Sequence, residues 1–151
     1  MSRQSIAITG AGGLIGRALN HRLAAGGHHV VRLVRRPASG GNEIAWAPAS
    51  GRIGAADLEG MDAVVPLAGE PIAARRWNRA VMDRILESRV GPTHLLAETL
   101  AALEKPPHTL ISASAIGYYG NRGDETLDET CPGGVGFLAD VCRAWEGATQ
   151  P

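Results

Sequence analysis

A chain of 151 residues that is 44% hydrophobic and 20% charged has the length and composition of one domain with a sizeable core, spanning residues 1–151. Its 15 Lys and Arg match its 15 Asp and Glu, so no charge excess recruits nucleic acid or an anionic membrane surface, and any anion site has to be local. Cys131 and Cys142 lack C-x-x-C or Cys/His ligand spacing, the start is not signal-like and no run of 18 apolar residues occurs, so the chain reads as a cytoplasmic protein with reduced thiols, no metal site and no membrane span.

Ser5 to Thr9 reads as a buried strand. Leu14, Ile15, Ala18, Leu19 and Leu23 then recur at helical spacing until Gly26 and Gly27 stop the helix, and His29 to Val34 is a second strand. Together they make a βαβ unit. Glu43 to Trp46 and Gly51 to Ile53 read as minor strands flanking the turn-like APAS. Asp62 to Leu67 is a strong strand whose Pro66 suits its end better than its middle.

From Asn78 an apolar stripe of Val81, Met82, Ile85 and Leu86 continues through THLLAETLAAL, beyond Gly91 and Pro92. That pattern predicts one long helix, kinked or broken at Pro92 and ended by Pro106 and Pro107. Thr109 to Ser114 is a further strand, Gly120 to Gly136 a long loop, and Phe137 to Ala148 a final helix. Strands alternating with helices predict an α/β fold, a doubly wound parallel sheet of the Rossmann type with right-handed crossovers.

Gly10, Gly12, Gly13 and Gly16 fall where the first strand hands over to the first helix. A pyrophosphate there accepts backbone N–H groups at the positive end of a helix dipole, provided no Cβ blocks its approach. One glycine serves the tight turn, one the approach of the phosphates, and one the packing of helix on strand. The stretch from Gly10 through Leu14 and Ile15 to Gly16 is therefore the candidate dinucleotide loop; the competing reading is a glycine-rich turn without a ligand.

An acidic residue about 20 residues further on would bind an adenosine ribose diol. Here the second strand ends in Arg35 and Arg36, whose forked donors suit a 2′-phosphate, so NADP(H) is preferred over NAD(H) unless the pair is merely solvated. Leu67, Ala68 and Gly69 leave the third main strand at the edge where such sheets bind ligands, and small Ala68 and Gly69 admit a ribose against the backbone or simply pack a turn.

SASAIGYYG leaves the next strong strand at the same edge. A hydroxyl such as that of Ser114 can hydrogen-bond a substrate carbonyl, and Tyr118 or Tyr119 can pack on the nicotinamide side, supply a catalytic phenol, or pack in the core. None of the five histidines has a ligand pattern, and Trp46, Trp77 and Trp145 read as packing anchors, with Trp77 in a loop that can face the site. Glu70, Arg75 and Arg76 are further candidates for substrate contact.

TGAGGLIG, the arginine-ended second strand, DAVVPLAGEPIAARRW, ILESRV, SASAIGYYG and FLADVCRAWE, in this order, resemble the atypical extended short-chain dehydrogenase/reductases of the NAD-dependent epimerase/dehydratase, or nucleoside-diphosphate-sugar epimerase, type. The resemblance implies an NADP(H) site at Gly10, Gly13, Gly16, Arg35, Leu67 and Ala68. Arg89 looks like a helix position that faces the cofactor, where Asn is more usual. It also implies Ser114 as the nearest match to the active-site hydroxyl, with Ala115 there if the register is one residue off.

Two departures stand out. Counting back from Glu146, the places of the family's Tyr-x-x-x-Lys pair hold Leu138 and Cys142. Family members also run to about twice this length, so the fold is expected to stop before the C-terminal substrate region. The last strand then borders an open edge, which predicts self-association, cover by the last helix, or a fragment of a longer product. Two functions follow as expectations: an oxidoreductase acting on a small molecule such as a nucleotide sugar or related carbonyl/alcohol pair, or a non-catalytic NADP(H)-binding sensor or interaction module. A domain that binds nothing is the weakest.

Overall fold

The computed structural model describes residues 2–74 and 76–151. Its elements are β1 (Ser5–Thr9), α1 (Leu14–Ala25), β2 (His29–Val34), β3 (Glu43–Ala47), β4 (Arg52–Ile53), β5 (Ala63–Pro66), α2 (Arg79–Ala101), β6 (Thr109–Leu110) and α3 (Phe137–Gly147), with short 3₁₀ turns at Pro48–Ser50, Ala55–Leu58 and Ile116–Tyr119.

The sheet order is β4-β3-β2-β1-β5-β6. All neighbours are parallel except β4, which pairs antiparallel with β3 as a hairpin around the APAS turn. The first two strands are apolar almost throughout because both faces are covered. Ile6, Ile8, Val30, Ala63 and Val65 lie on one face with Leu19 and Leu23 of α1. Ala7, Val31, Leu33 and Val64 lie on the other with Leu96 and Leu100 of α2. Alternate residues thus feed alternate layers, and the sheet is doubly wound in a Rossmann-like arrangement. No helix among the described residues is long and apolar enough to cross a membrane.

α2 runs unbroken through Pro92, which sits inside it. Losing the proline's N–H costs about 3 kcal/mol or more. Val81 and Ile85 are buried before it, and Thr93, Leu96, Ala97 and Leu100 after it. Each large apolar anchor contributes about 1.5–3 kcal/mol, so burial on both sides outweighs the missing bond. Asn78 starts the helix by accepting from Val81 N at 3.0 Å.

β6 is shorter than the expected Thr109–Ser114. Val64 pairs with Leu110 and its carbonyl accepts from Ile111 N at 3.0 Å. The next donor in that parallel ladder is the nitrogen of Pro66, which carries no hydrogen, so pairing stops there. α3 meets the segment after β6 at Ser114 and Ala115 and packs on α2, where Val81, Ile85 and Val141 cluster with Leu86 and Phe137. Trp145 Nε1 donates to Thr93 Oγ1 at 3.0 Å within that contact. Trp46 and Trp145 are buried packing anchors.

Candidate functional site

The strand order reverses at β1, and ligands of open α/β sheets bind outside the carboxyl ends of the strands at such a reversal. A cavity of about 1170 Å³ opens there, and Gly10, Gly12, Gly13, Arg35, Leu67 and Ala68 contribute to its wall. The three segments that the sequence singles out, after β1, β2 and β5, therefore meet in one cleft.

Its floor is set by close backbone approaches. Gly10 has φ +63°, and a Cβ there would lie 2.6 Å from the Leu67 carbonyl oxygen. A Cβ on Gly16 would lie 2.3 Å from Gly10 O, so this glycine lets α1 settle on the turn. Gly12 differs, since nothing lies within 4 Å of its Cβ position while the residue lines the cavity. Gly13 N-caps α1 with no side-chain bond, which leaves first-turn N–H groups for an anion. A diphosphate fits this donor set. Leu14 and Ile15, also assigned to the cofactor, are 84% and 66% exposed in the first turn of α1 and are not among the described residues lining the cavity.

Thr9, fully buried, ties the two turns together: its Oγ1 accepts from both Leu67 N and Ala68 N at 3.0 Å. The β5–α2 loop is pinned from its other side. Glu70 N donates to Ser88 Oγ at 2.9 Å, and Arg89 donates to Glu70 O at 3.1 Å and to Ile85 O at 2.9 Å. Arg89 also lies 5.4 Å over the Trp145 ring, a cation–π distance. Burial draws its guanidinium below the ordinary value, with Cys142 and Glu70 acting the other way. Among the described residues Arg89 thus braces Gly69 and Glu70 from behind rather than lining the cavity.

The adjacent arginines part company. Arg36 makes a two-pronged pair with Glu43, Nη1 to Oε2 and Nη2 to Oε1, both at 2.8 Å. Arg36 and the Ser39 backbone and hydroxyl draw the Glu43 carboxyl down to about 2. Both arginines are exposed and line the cavity, but Arg35 has no hydrogen bond or ion pair among the described residues.

At the far flank Ser114 Oγ donates to Glu146 Oε1 at 2.5 Å. The positions at which the sequence resemblance places the Tyr and Lys hold Leu138, whose Cβ lies 3.0 Å from where a Gly117 Cβ would be, and buried Cys142, 3.7 Å from Ala115 O. Tyr118 and Tyr119 stack edge to face at 5.3 Å and are both half-buried. Burial above all, with help from Glu129, raises the Tyr119 phenol, which keeps it protonated near neutral pH. Trp77, held by Ile72 O at 2.7 Å and edge-on to Phe137 at 5.5 Å, helps line a second cavity of about 290 Å³ with Leu138 and Asn121. Ser114 and Tyr118 line neither cavity among the described residues. Glu70 places its carboxylate 3.9 Å from Arg84 Nε, Arg76 is exposed, and Arg75 falls outside the described residues.

Thr9, Glu43 and Ser88 are site residues that sequence reasoning missed. Thr9 carries a signal, a hydroxyl at a strand end directly before the glycines. The other two gain their roles only from partners brought in by the fold.

The family model described as the NAD dependent epimerase/dehydratase family matches residues 6–135. The chain is 44% identical over 151 residues to epimerase family protein Mb2239 of Mycobacterium bovis, covering 100% of this chain and 50% of that one. Among solved structures, it is similar to the nucleoside-diphosphate sugar epimerase from Corynebacterium glutamicum, with TM-score 0.84 and 46% identity over 98% of this chain and 30% of that one. It is likewise similar to human epimerase family protein SDR39U1, isoform 2, with NADPH, at TM-score 0.83 and 33% identity over 97% of this chain and 49% of that one. The chain spans about half the length of the curated relatives it matches.

Proposed function

This chain belongs to the NAD dependent epimerase/dehydratase family, and from that premise we propose that it forms the NADP(H)-binding part of an oxidoreductase that interconverts a carbonyl and an alcohol on a small substrate, a nucleotide sugar being the class. The observation that carries the reading is the cleft at β1, whose wall includes Gly12, Gly13 at the start of α1, and Arg35, which has no hydrogen bond or ion pair among the described residues. The relatives add support: the human neighbour is a complex with NADPH, and the corynebacterial one is called a nucleoside-diphosphate sugar epimerase.

In this reading the Gly12 amide and the first-turn amides of α1 hold the diphosphate, Arg35 the 2′-phosphate, and Leu67, Ala68 and Gly69 the ribose against bare backbone. Thr9 and Arg89 keep that loop in place. A bound nicotinamide supplies reversible hydride transfer. Ser114, oriented by Glu146, is the hydroxyl that this chain offers for proton handling.

Titration with NADPH and NADH, followed by nicotinamide fluorescence and melting temperature, tests the proposal. One charge-assisted contact of about 1.5–3 kcal/mol corresponds to roughly tenfold to a hundredfold tighter binding of NADPH. Absence of binding by either cofactor removes the reading. The Leu138 and Cys142 substitutions favour a second one, a non-catalytic NADP(H)-binding module, because neither side chain can act as a phenol acid/base or a pKa-lowering ammonium. NADPH binding without turnover across a panel of nucleotide sugars selects it.

A further inference from the structure

Glu43 gives the cleft a feature that the arginine pair alone does not suggest; the inference rests on reading the cavity as a dinucleotide site. Its side chain is 2% exposed and accepts four hydrogen bonds, from Arg36 Nη1 and Nη2 at 2.8 Å and from Ser39 N and Oγ at 2.9 Å each, and lies 2.9 Å from Arg32 Nη2 as an ion pair. Arg36 Nη1 also reaches Pro37 O at 3.0 Å and Ser39 Oγ at 3.3 Å. Both terminal nitrogens of Arg36 are therefore engaged by the chain's own atoms. A guanidinium offers a phosphate the same parallel N–H pair that it offers a carboxylate, so the two partners compete for one fork.

We propose that Glu43 is a specificity-determining positioning residue: by occupying Arg36 and Arg32 it leaves Arg35 as the cation that reads a 2′-phosphate. Arg32, Arg36 and Glu43 together carry a single positive charge, and the loop from Arg36 to Glu43 is folded around the carboxylate. Neutralising Glu43 raises the local charge by one and frees a second fork beside Arg35. The carboxylate thus holds the preference for the phosphorylated adenosine below what two adjacent arginines can deliver.

The test measures dissociation constants for NADPH and NADH, and melting temperatures, on the full 151-residue chain and its R35A, R36A, E43Q and E43Q/R36A variants. R35A brings the two cofactors to near parity. R36A lowers the melting temperature but leaves the NADPH:NADH affinity ratio within about twofold. E43Q raises that ratio by about threefold to tenfold, the range expected when one more guanidinium reaches the phosphate. The double variant returns it to the wild-type value, a result that loop damage alone does not produce.

An R36A ratio as collapsed as that of R35A overturns the proposal, and so does an E43Q ratio equal to wild type. R36A decides by itself should E43Q not fold. Wild-type chain that binds neither cofactor overturns the dinucleotide reading with it, whereas wild-type chain that binds both equally removes the phosphate preference before any variant is made. Those two outcomes are distinct from the failures that concern Glu43 alone.

Discussion

The cleft around β1 and the flank around β6 and α3 are built to different tolerances. At β1 a central strand has neighbours on both sides, and the turn after it is closed by contacts that admit no side chain at Gly10 or Gly16. A buried hydroxyl and an arginine brace fix the facing loop. At β6 one neighbour remains, pairing ends after two residues, and Ile111, Ile116 and Val135 are 54%, 89% and 88% exposed. The comparison teaches that a cleft at the middle of the sheet is held from both sides by the chain's own strands, while groups placed at an edge depend on whatever lies beside it.

The largest expected effect breaks the cradle itself. Gly16→Val places a Cβ where Gly10 O lies 2.3 Å away; a shift of backbone is unavoidable, and about 3 kcal/mol of stability and all measurable cofactor binding are lost in chemical denaturation and fluorescence titration. Next, Thr9→Val keeps the shape but leaves Leu67 N and Ala68 N without their acceptor. A loss of about 2 kcal/mol, read in urea, is expected, together with weaker binding of both cofactors alike. An unchanged midpoint would show that water or backbone shifts replace the staple.

Glu43 sharpens the contrast by pH. Its carboxyl is lowered in the folded chain from 4.5 to about 2, so the unfolded chain takes up a proton first. Its contribution is fully present above about 4.5 and is lost as the pH falls toward about 2. Melting temperatures of wild type should therefore decline across that window more steeply than those of Glu43→Gln, and parallel curves would remove the coupling.

The smallest effects lie at the flank. Ser114→Ala, at an exposed hydrogen bond, should shift stability by no more than about 0.5 kcal/mol and leave cofactor affinity intact. Ile111→Lys should be equally mild for the single chain, while moving sedimentation from an associated species to a monomer. Wild-type chain that already sediments as a monomer would take away the edge-pairing idea.

Local pattern explains what was legible. β1 and β2 have the boundaries that their apolar runs predict, Ser5–Thr9 and His29–Val34, because a strand buried on both faces leaves a continuous signature. The turn glycines were legible for the same reason, since backbone geometry acts within a few residues. Other features escaped because their causes are distant. β6 is cut short by Pro66 on another strand, α2 survives Pro92 through burial along both halves, and Arg89 turns toward Glu70, 19 positions away.

The amino-acid sequence alone determined the βαβ opening, the alternation that yields a doubly wound sheet, the glycine turn and the cationic end of β2, all consequences of residue-level sterics, periodicity and charge. Only the tertiary structure decided which arginine Glu43 holds, which hydroxyl joins loops 58 positions apart, and how far the edge strand pairs. Hydrogen bonds and ion pairs of that kind depend on where the packed sheet brings side chains together, and no spacing along the chain encodes that by itself.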